Sequence, residues 1–245
     1  MQIRTLRTMS PFPLSNILFL DIETVPQYPD FDQMTYEWQE LWTRKAAYLI
    51  KDKQTDTPAS VYNNAGIYAE FGKIICIGCG VISRHHNDKR FLLKSFYGDD
   101  EKIILQEFCE MIGKWGSDKF LCAHNGKEFD FPYICRRLII HGIPIPSILD
   151  LSGKKRWEVQ HLDTMELWKF GDYKNYTSLN LLAHILGIPT PKDDIDGSMI
   201  RDVYWIQHDL PRIVHYCQKD VFTVAQVYLR LNNESPILPE NIDIK

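Results

Sequence analysis

Two strand-like runs stand close together, residues 73–83 (KIICIGCGVIS) and 90–97 (RFLLKSFY), with the polar stretch His85-His86-Asn87-Asp88 between them. Apolar and β-branched runs of this length, joined by a short polar turn, predict a β-hairpin. The hairpin commits the chain to a sheet, and the surrounding pattern predicts what covers it. Residues 17–20 (ILFL) read as an earlier strand. Residues 99–115 follow the hairpin with apolar positions at helical spacing (Ile103, Ile104, Phe108, Ile112). Residues 119–124 (KFLCAH) read as a further strand, and residues 128–141 as a helix. Leu162-Asp163-Thr164 marks a last strand end or a helix start, and residues 178–186, 198–207 and 211–231 read as helices. Strands alternating with helices in this order predict an α/β fold built on one mixed central sheet flanked by helices.

The first two strands are far apart in sequence. Between them Tyr36, Leu41, Trp42, Ala46, Leu49 and Ile50 recur at helical spacing, and residues 51–64 are polar with one proline. About residues 26–70 therefore read as an insertion in a single domain, with its core at about 16–231. Tyr36, Trp38 and Trp42 read as core of that insertion in preference to base-stacking platforms. The tail after Asn232 is polar and proline-bearing, and reads as partly loose.

Composition narrows the function. With 44% hydrophobic and 24% charged residues the chain is of ordinary globular type. A net charge of −4 argues against coating nucleic acid through a broad basic face. It leaves room for an enzyme that grips a few nucleotides and supplies positive charge locally through metal ions. Six cysteines fall mostly in apolar runs and read as reduced, buried residues. Cys76 and Cys79 have zinc-like spacing, but three residues apart in a strand they point to opposite faces, and no second Cys/His pair follows. No stretch is long and apolar enough to span a bilayer. Residues 1–15 hold two arginines and no apolar core of a signal peptide, so a cytoplasmic enzyme is expected.

The polar positions at element ends carry the chemistry. Asp21 and Glu23 are two apart at a strand end and so share a face. Among apolar neighbours two such carboxylates repel and lose hydration, and a hard divalent cation such as Mg2+ compensates both; the alternative is a solvated strand end. Asp130 follows Asn125-Gly126 at the start of a helix, where an acid also favours the helix dipole. Tyr216 and Asp220 lie four apart in a helical stretch and share a face, where a phenol beside a carboxylate positions a water; packing and solvation explain them equally well one at a time.

Taken together, Asp21-x-Glu23, Asn125-x3-Phe129-Asp130-x-Pro132-Tyr133 and Tyr216-x3-Asp220 resemble the three exonuclease motifs of the DEDD superfamily. The middle motif, with Arg136 and Arg137 following, is similar to that of the proofreading domain of B-family DNA polymerases, and the chain looks like a stand-alone relative of that domain. The resemblance covers roughly residues 16–231. It implies a ribonuclease-H-like fold and a 3′→5′ exonuclease using two Mg2+ or Mn2+ ions. It implies that Asp21 bridges both ions, that Glu23 and Asp220 help hold the one carrying the attacking water, and that Asp130 serves the second. Thr24 would contact the 3′-terminal nucleotide, and Asn125 and Phe129 would line the strand path. Two-ion chemistry is independently sound for in-line displacement at phosphorus.

The superfamily divides between Tyr-x3-Asp and His-x4-Asp in the third motif, and this chain satisfies both through Tyr216 and His215. At ~100° per residue Tyr216 lies about 40° from Asp220 around a helix and His215 about 140°. Asp209-Leu210-Pro211 reads as the helix start, which puts both inside the helix and favours Tyr216.

Asp163 begins a capping box, Asp163-Thr164-Met165-Glu166, with a supporting role near the site as the sharper alternative. Ser178 reads as another N-cap. Lys154-Lys155-Arg156 beside Trp157 reads as a solvated loop first and a phosphate contact second. Lys192 and Asp196-Gly197 lie in a loop within range of a substrate role. The expected partner is the 3′ end of a single strand, DNA ahead of RNA. The competing expectations are an exoribonuclease with the same site and a non-catalytic nucleic-acid-binding module on the same fold.

Overall fold

The computed structural model describes residues 12–52, 54–85, 88–116, 119–172, 174–189 and 195–245. The expectations for residues 1–11, for His86 and Asn87 in the hairpin turn, and for Lys192 lie outside the described residues.

Six strands form one mixed sheet: β1 (Ile17–Pro26), β2 (Gly72–His85), β3 (Asp88–Tyr97), β4 (Phe120–Ala123), β5 (Leu162–Asp163) and β6 (Ile242–Ile244). Their spatial order is β5-β4-β1-β2-β3-β6. β1, β2 and β3 pair antiparallel, while β4 on β1, β5 on β4 and β6 on β3 are parallel. β1 therefore lies inside the sheet and is covered on both faces, which is why its first residues form a continuous apolar run. Leu18, Leu20 and Ile22 point to the side of α2 (Glu101–Gly113) and α3 (Asp130–Ile140), against Ile104, Phe108 and Ile134. Ile17 and Phe19 point to the other side, against Val221, Val224 and Tyr228 of α7 (Leu210–Leu231). Between α3 and α7 run α4 (Thr164–Lys169), α5 (Leu179–Ile185) and α6 (Ile200–Trp205).

Residues 27–71 carry α1 (Tyr36–Ala46) and a 3-10 turn at Tyr62–Ile67. They enclose a small core of Met34, Trp42, Ala46, Tyr62 and Ala65, with Trp38 packed against it. α1 is shorter than its apolar pattern predicts, and Tyr36 is no part of that core. Tyr36 is 70% exposed and donates to Glu40 one turn on, and Leu41 is also exposed. Six positions from Tyr36 to Trp42 amount to about 240° around a helix, so the two cannot share the buried face. Ile103 is misjudged for the same reason: α2 buries Ile104, Phe108 and Ile112 and leaves Ile103 exposed.

The tail is ordered where looseness was expected. The side-chain amide of Gln226 donates to the Ile237 carbonyl and accepts from its N–H (2.7 and 2.9 Å), and Ile237 is buried. Asp243 pairs with Arg90, and β6 extends the sheet along β3. Three short residues carry no periodicity, and their partners lie more than 140 positions away, so no local signal announces this strand. All six cysteines are free thiols, with Cys76 and Cys79 buried in different clusters.

Candidate active site

Asp21 and Glu23 continue the face of β1 that carries Phe19, the face over which α7 runs. Glu23 is 7% exposed, while Asp21 keeps an edge towards solvent. The β1–β2 register slips between Glu23 and Thr24, where Glu23 faces Cys76 and Thr24 faces Ile74. A bulge of this kind re-aims side chains and is common beside functional sites. β1 stays paired with β2 beyond it, through Pro26 opposite Gly72, in the shifted register.

Seating α7 on this face requires Gly78, which lies across the ladder from Asp21. A Cβ there would sit 2.8 Å from both Cys217 Sγ and Val221 Cγ2. With no Cβ in the way, the helix lies close on the sheet and delivers Tyr216 and Asp220 to the strand-end carboxylates. Cys217 Sγ approaches the Asp21 carbonyl at 3.6 Å. One ligand atom each from Asp21, Glu23 and Cys217 lie within 4.8 Å of one another.

Asp130 reaches the same place from the opposite face. β4 ends at Ala123, so the β1 edge beyond Phe19 has no strand to pair with there. The Ile22 N–H on that edge donates to Asp130 Oδ1 at 3.2 Å. Asp130 is 3% exposed. The turn that holds it is organised by Asp163, itself 1% exposed, whose carboxylate accepts from the N–H groups of Asn125, Lys127, Met165 and Glu166. Two of these bonds cap α4, as the capping box predicts, and two tie down the turn after β4. Asn125 adopts φ 65°, and its Oδ1 is buried without a hydrogen-bond partner among the described residues. Phe129 packs on Tyr133, and the Thr24 hydroxyl donates to the Gly66 carbonyl at 2.8 Å.

Electrostatics tie the carboxylates into one unit. Burial raises the Asp21 pKa well above the usual range, and Asp220 and then Asp130 push it further. Glu23 is raised by burial, then by Asp21 and Asp220. Asp130 is pushed up to about 7, chiefly by burial, with Asp163 adding to it and the Ile22 N–H opposing. Tyr216 is raised far above 10 by burial, then by Asp220, Glu23 and Asp21, and it is hydrogen-bonded to Asp220. α7 is unbroken from Leu210, capped by Asp209 accepting from the Arg212 N–H. His215 lies on its exposed side. Acids gathered in one buried place repel one another, and a cation relieves that repulsion.

A cleft of about 590 Å3 opens from Glu23. Ile22, Thr24 and Pro26 of β1 line it together with Phe129. Asn63, Asn64, Gly66 and Ile67 from the 3-10 turn, and Gly197, Ser198 and Arg201 about the start of α6, also line it. Arg201 also donates to the Pro29 carbonyl and to Asp30. The basic run is elsewhere: Lys154 lines a separate cavity with Lys119 and His161, and Trp157 is exposed beside Lys155. Gly78, Cys217, Arg201 and the 63–67 turn escape sequence reasoning, because each matters only through a partner far along the chain. Cys217 alone had a local sign, lying between Tyr216 and Asp220 on an apolar stripe.

Residues 67–240 match the family described as "Predicted 3′-5′ exonuclease related to the exonuclease domain of PolB". Asn125, Phe129, Asp130, Tyr216 and Asp220 fall inside the match, and Asp21, Glu23 and Thr24 precede it. The structure is similar to that of the family B DNA polymerase from the hyperthermophilic archaeon Pyrobaculum calidifontis, with a TM-score of 0.51 at 14% identity. That likeness covers 91% of this chain and 27% of the polymerase, and it identifies the fold as α/β, of ribonuclease-H-like type. No curated protein matches the chain.

Proposed function

Because the chain belongs to the family of predicted 3′–5′ exonucleases related to the exonuclease domain of PolB, we propose that it hydrolyses phosphodiester bonds from the 3′ end of single-stranded DNA as a single metal-dependent exonuclease domain. One observation carries the reading. Carboxylates from a strand end, a helix start and the middle of α7 stand close enough that, beyond burial, Asp220 and Asp130 raise the pKa of Asp21, and Asp21 and Asp220 that of Glu23, with a tyrosine hydroxyl bonded to Asp220. Among the described residues no helix is long and apolar enough to cross a membrane.

The donor set fits hard divalent cations. It consists of clustered carboxylate oxygens, two of them raised in pKa by burial and by one another, which suits Mg2+ or Mn2+. Asp21, Glu23 and Asp220 would hold one ion, with Asp21 shared and Asp130 serving a second. Bound ions supply neutralisation of the charge that develops on the attacking and leaving oxygens.

The protein's own groups then have distinct tasks. Burial, and then the carboxylates around it, raise the Tyr216 pKa far above 10, so it orients a water by hydrogen bonding and does not act as a base. Asp130 fixes the end of β1 through the Ile22 N–H and keeps Asp21 and Glu23 in register with α7. Asn125, at φ 65° in the turn after β4, lines the path of the strand. Phe129 gives apolar surface to a nucleotide in the cleft, and Thr24 borders the same space.

The test incubates the purified protein with 5′-labelled single-stranded DNA and, separately, RNA, with Mg2+ or Mn2+, beside Asp21→Ala. A ladder shortened from the 3′ end that vanishes in Asp21→Ala is expected, with DNA the better substrate. Cleavage of RNA alone would reassign the substrate, and no cleavage of either polymer with both metals would overturn the enzyme in favour of a binding module.

A further inference from the structure

Two aromatic side chains stand in solvent on the loop between α4 and α5, outside all three motifs. Phe170 is 76% exposed and Tyr176 is 69% exposed. A single exposed apolar residue is ordinary, but the backbone sets Phe170 apart. It closes α4 at φ 46° and ψ 35°, in the left-handed region. A helix end of this kind normally falls on glycine or asparagine, because a Cβ crowds the backbone there. The other non-glycine residues at positive φ, among those described, are Asn125, His208 and Asn233, polar types that take this conformation more readily. Gly171, with φ 89°, stands directly after Phe170. The chain thus holds a bulky ring in a strained conformation and leaves it uncovered. Strain of this sort collects at functional sites.

The loop is fastened to the turn that carries Asn125. β4 and β5 run parallel to β1, so their ends lie at the edge of the sheet where Asp21 and Glu23 stand. His124, at the end of β4, directly precedes Asn125. Its Nε2 lies 2.8 Å from the Thr177 carbonyl and its Nδ1 2.9 Å from Thr164 Oγ1. A carbonyl only accepts, so Nε2 carries the proton and Nδ1 accepts from the Thr164 hydroxyl. Burial lowers the His124 pKa and keeps the ring neutral. Thr164 opens the helix that Phe170 closes, and Thr177 follows Tyr176. One imidazole therefore ties both ends of the segment to the turn beside the carboxylates. Within the loop, Asp172 accepts from the Lys174 N–H at 3.1 Å and from the side-chain amide of Asn175. Lys169 precedes Phe170, and the exposed Lys174 stands two residues before Tyr176. Rings and cations thus interleave along one segment.

We propose that Phe170 and Tyr176 form a stacking platform for bases of the single strand upstream of its reacting end, with Lys169 and Lys174 serving the backbone phosphates. The assignment rests on the exonuclease reading. A base stacks on an aromatic ring whatever its sequence, which suits an enzyme that shortens a strand one residue after another. The left-handed turn at Phe170 breaks the chain away from α4 and keeps the ring off the protein surface beneath it. Two lysines beside two rings also agree with a chain of net charge −4, which grips a strand at a few points in place of a broad basic face. The platform sets affinity and the length of strand that is gripped. It takes no part in breaking the bond.

The experiment uses the full chain and varies substrate length. The probes are 5′-fluorescein-labelled oligothymidylates of about 3 and about 12 nucleotides, and the p-nitrophenyl ester of thymidine 5′-monophosphate, which has no upstream strand. Anisotropy in EDTA gives Kd without cleavage, and steady-state kinetics with Mn2+ follow, for wild type, Phe170→Ala, Tyr176→Ala, Phe170→Trp and Phe170→Gly. Each alanine variant is expected to raise Kd and KM for the long strand about tenfold, with the ester and the shortest strand within about twofold. Phe170→Trp should keep wild-type binding. Phe170→Gly should bind the long strand as weakly as Phe170→Ala while its Tm rises by about 2–4 °C, since glycine takes the left-handed conformation freely; a ring that served packing would lower Tm instead. Unchanged long-strand Kd and KM in both alanine variants, or an equal loss on the ester, would overturn the platform and leave the exonuclease reading intact. A wild type that cleaves neither ester nor strand would overturn that reading, and equal Kd across the EDTA series would then overturn the platform as well.

Discussion

Replacing Gly78 with alanine is the sharpest test of how the site is assembled. Gly78 lies opposite Asp21 on β2, directly beneath α7. The new methyl would meet Cys217 Sγ and Val221 Cγ2 at 2.8 Å, where ordinary contact runs from 3.4 to 4 Å. Both partners are fully buried and sit one turn apart on the face that α7 presses to the sheet. The helix must recede by about 0.6–1.2 Å to restore ordinary contact. Overpacking of this kind costs about 1–3 kcal/mol, which in a chain of this size lowers Tm by roughly 4–8 °C at the middle of that range. Tyr216 and Asp220 adjoin the two displaced residues in sequence and move with them. A shift of about 1 Å in a catalytic group costs on the order of 10²-fold in rate. Thermal melting and single-strand degradation with Mn2+ read the two effects separately. Gly113→Ala is the control, since a Cβ at Gly113 meets nothing within 4 Å. Wild-type Tm and rate in Gly78→Ala would refute the claim that close seating of α7 makes the site. A lowered Tm with full activity would show that the carboxylates tolerate the displacement.

Tyr216→Phe removes the hydroxyl bonded to Asp220 and should lower kcat by about 10²-fold or more, while His215→Ala, on the exposed side of the helix, should stay within about twofold; the opposite ranking would move the protein to the histidine branch. Asp163→Ala leaves four backbone N–H groups without their acceptor, two at a helix start and two in the turn carrying Asn125. The expected loss is about 3–5 kcal/mol and a fall in Tm of roughly 10 °C, and a fall under about 2 °C by circular dichroism would count against it. His161 is held neutral between the Leu121 N–H and the Ile148 carbonyl, and burial lowers its pKa from 6.5 to about 4. Its folded value lies below its unfolded one, so the unfolded chain binds the extra proton. This contribution is complete above pH 6.5 and disappears as pH falls towards 4, about 3 kcal/mol in all. Urea titrations at pH 4 and 7 should show His161→Gln losing less stability on acidification than wild type, and equal losses would exclude His161 as the source.

Much of the fold is local in origin and was readable as such. The hairpin, the runs at β1 and β4 and the long α7 each announce themselves by period, and caps at Asp163, Ser178 and Asp209 lie where the residue types predict. Misjudgements came where burial depends on helix phase within a mixed pattern, at Tyr36 and Ile103, or where a strand exists only because a distant partner accepts it, at β6. The carboxylates were legible because their positions at element ends are properties of the chain itself. Their company was not. Cys217, Gly78 and the turn at Asn63 to Ile67 gain meaning only from what they touch.

The sequence by itself determined the set of groups: hard oxygen donors at a strand end, at a helix start and on a helix, with a tyrosine four residues ahead of the last. Motif order and element type are encoded by short-range periodicity, so they survive in the linear text. Only the tertiary structure decided that α7 lies close enough for Asp220 to raise the pKa of Asp21, because that closeness depends on a missing Cβ across the sheet. It also decided that a carbonyl from the segment between β1 and β2 is held by hydroxyls beside Glu23 and Asp130. Contacts between residues tens to hundreds of positions apart leave no period in the chain, and the shape of the cleft is made of such contacts.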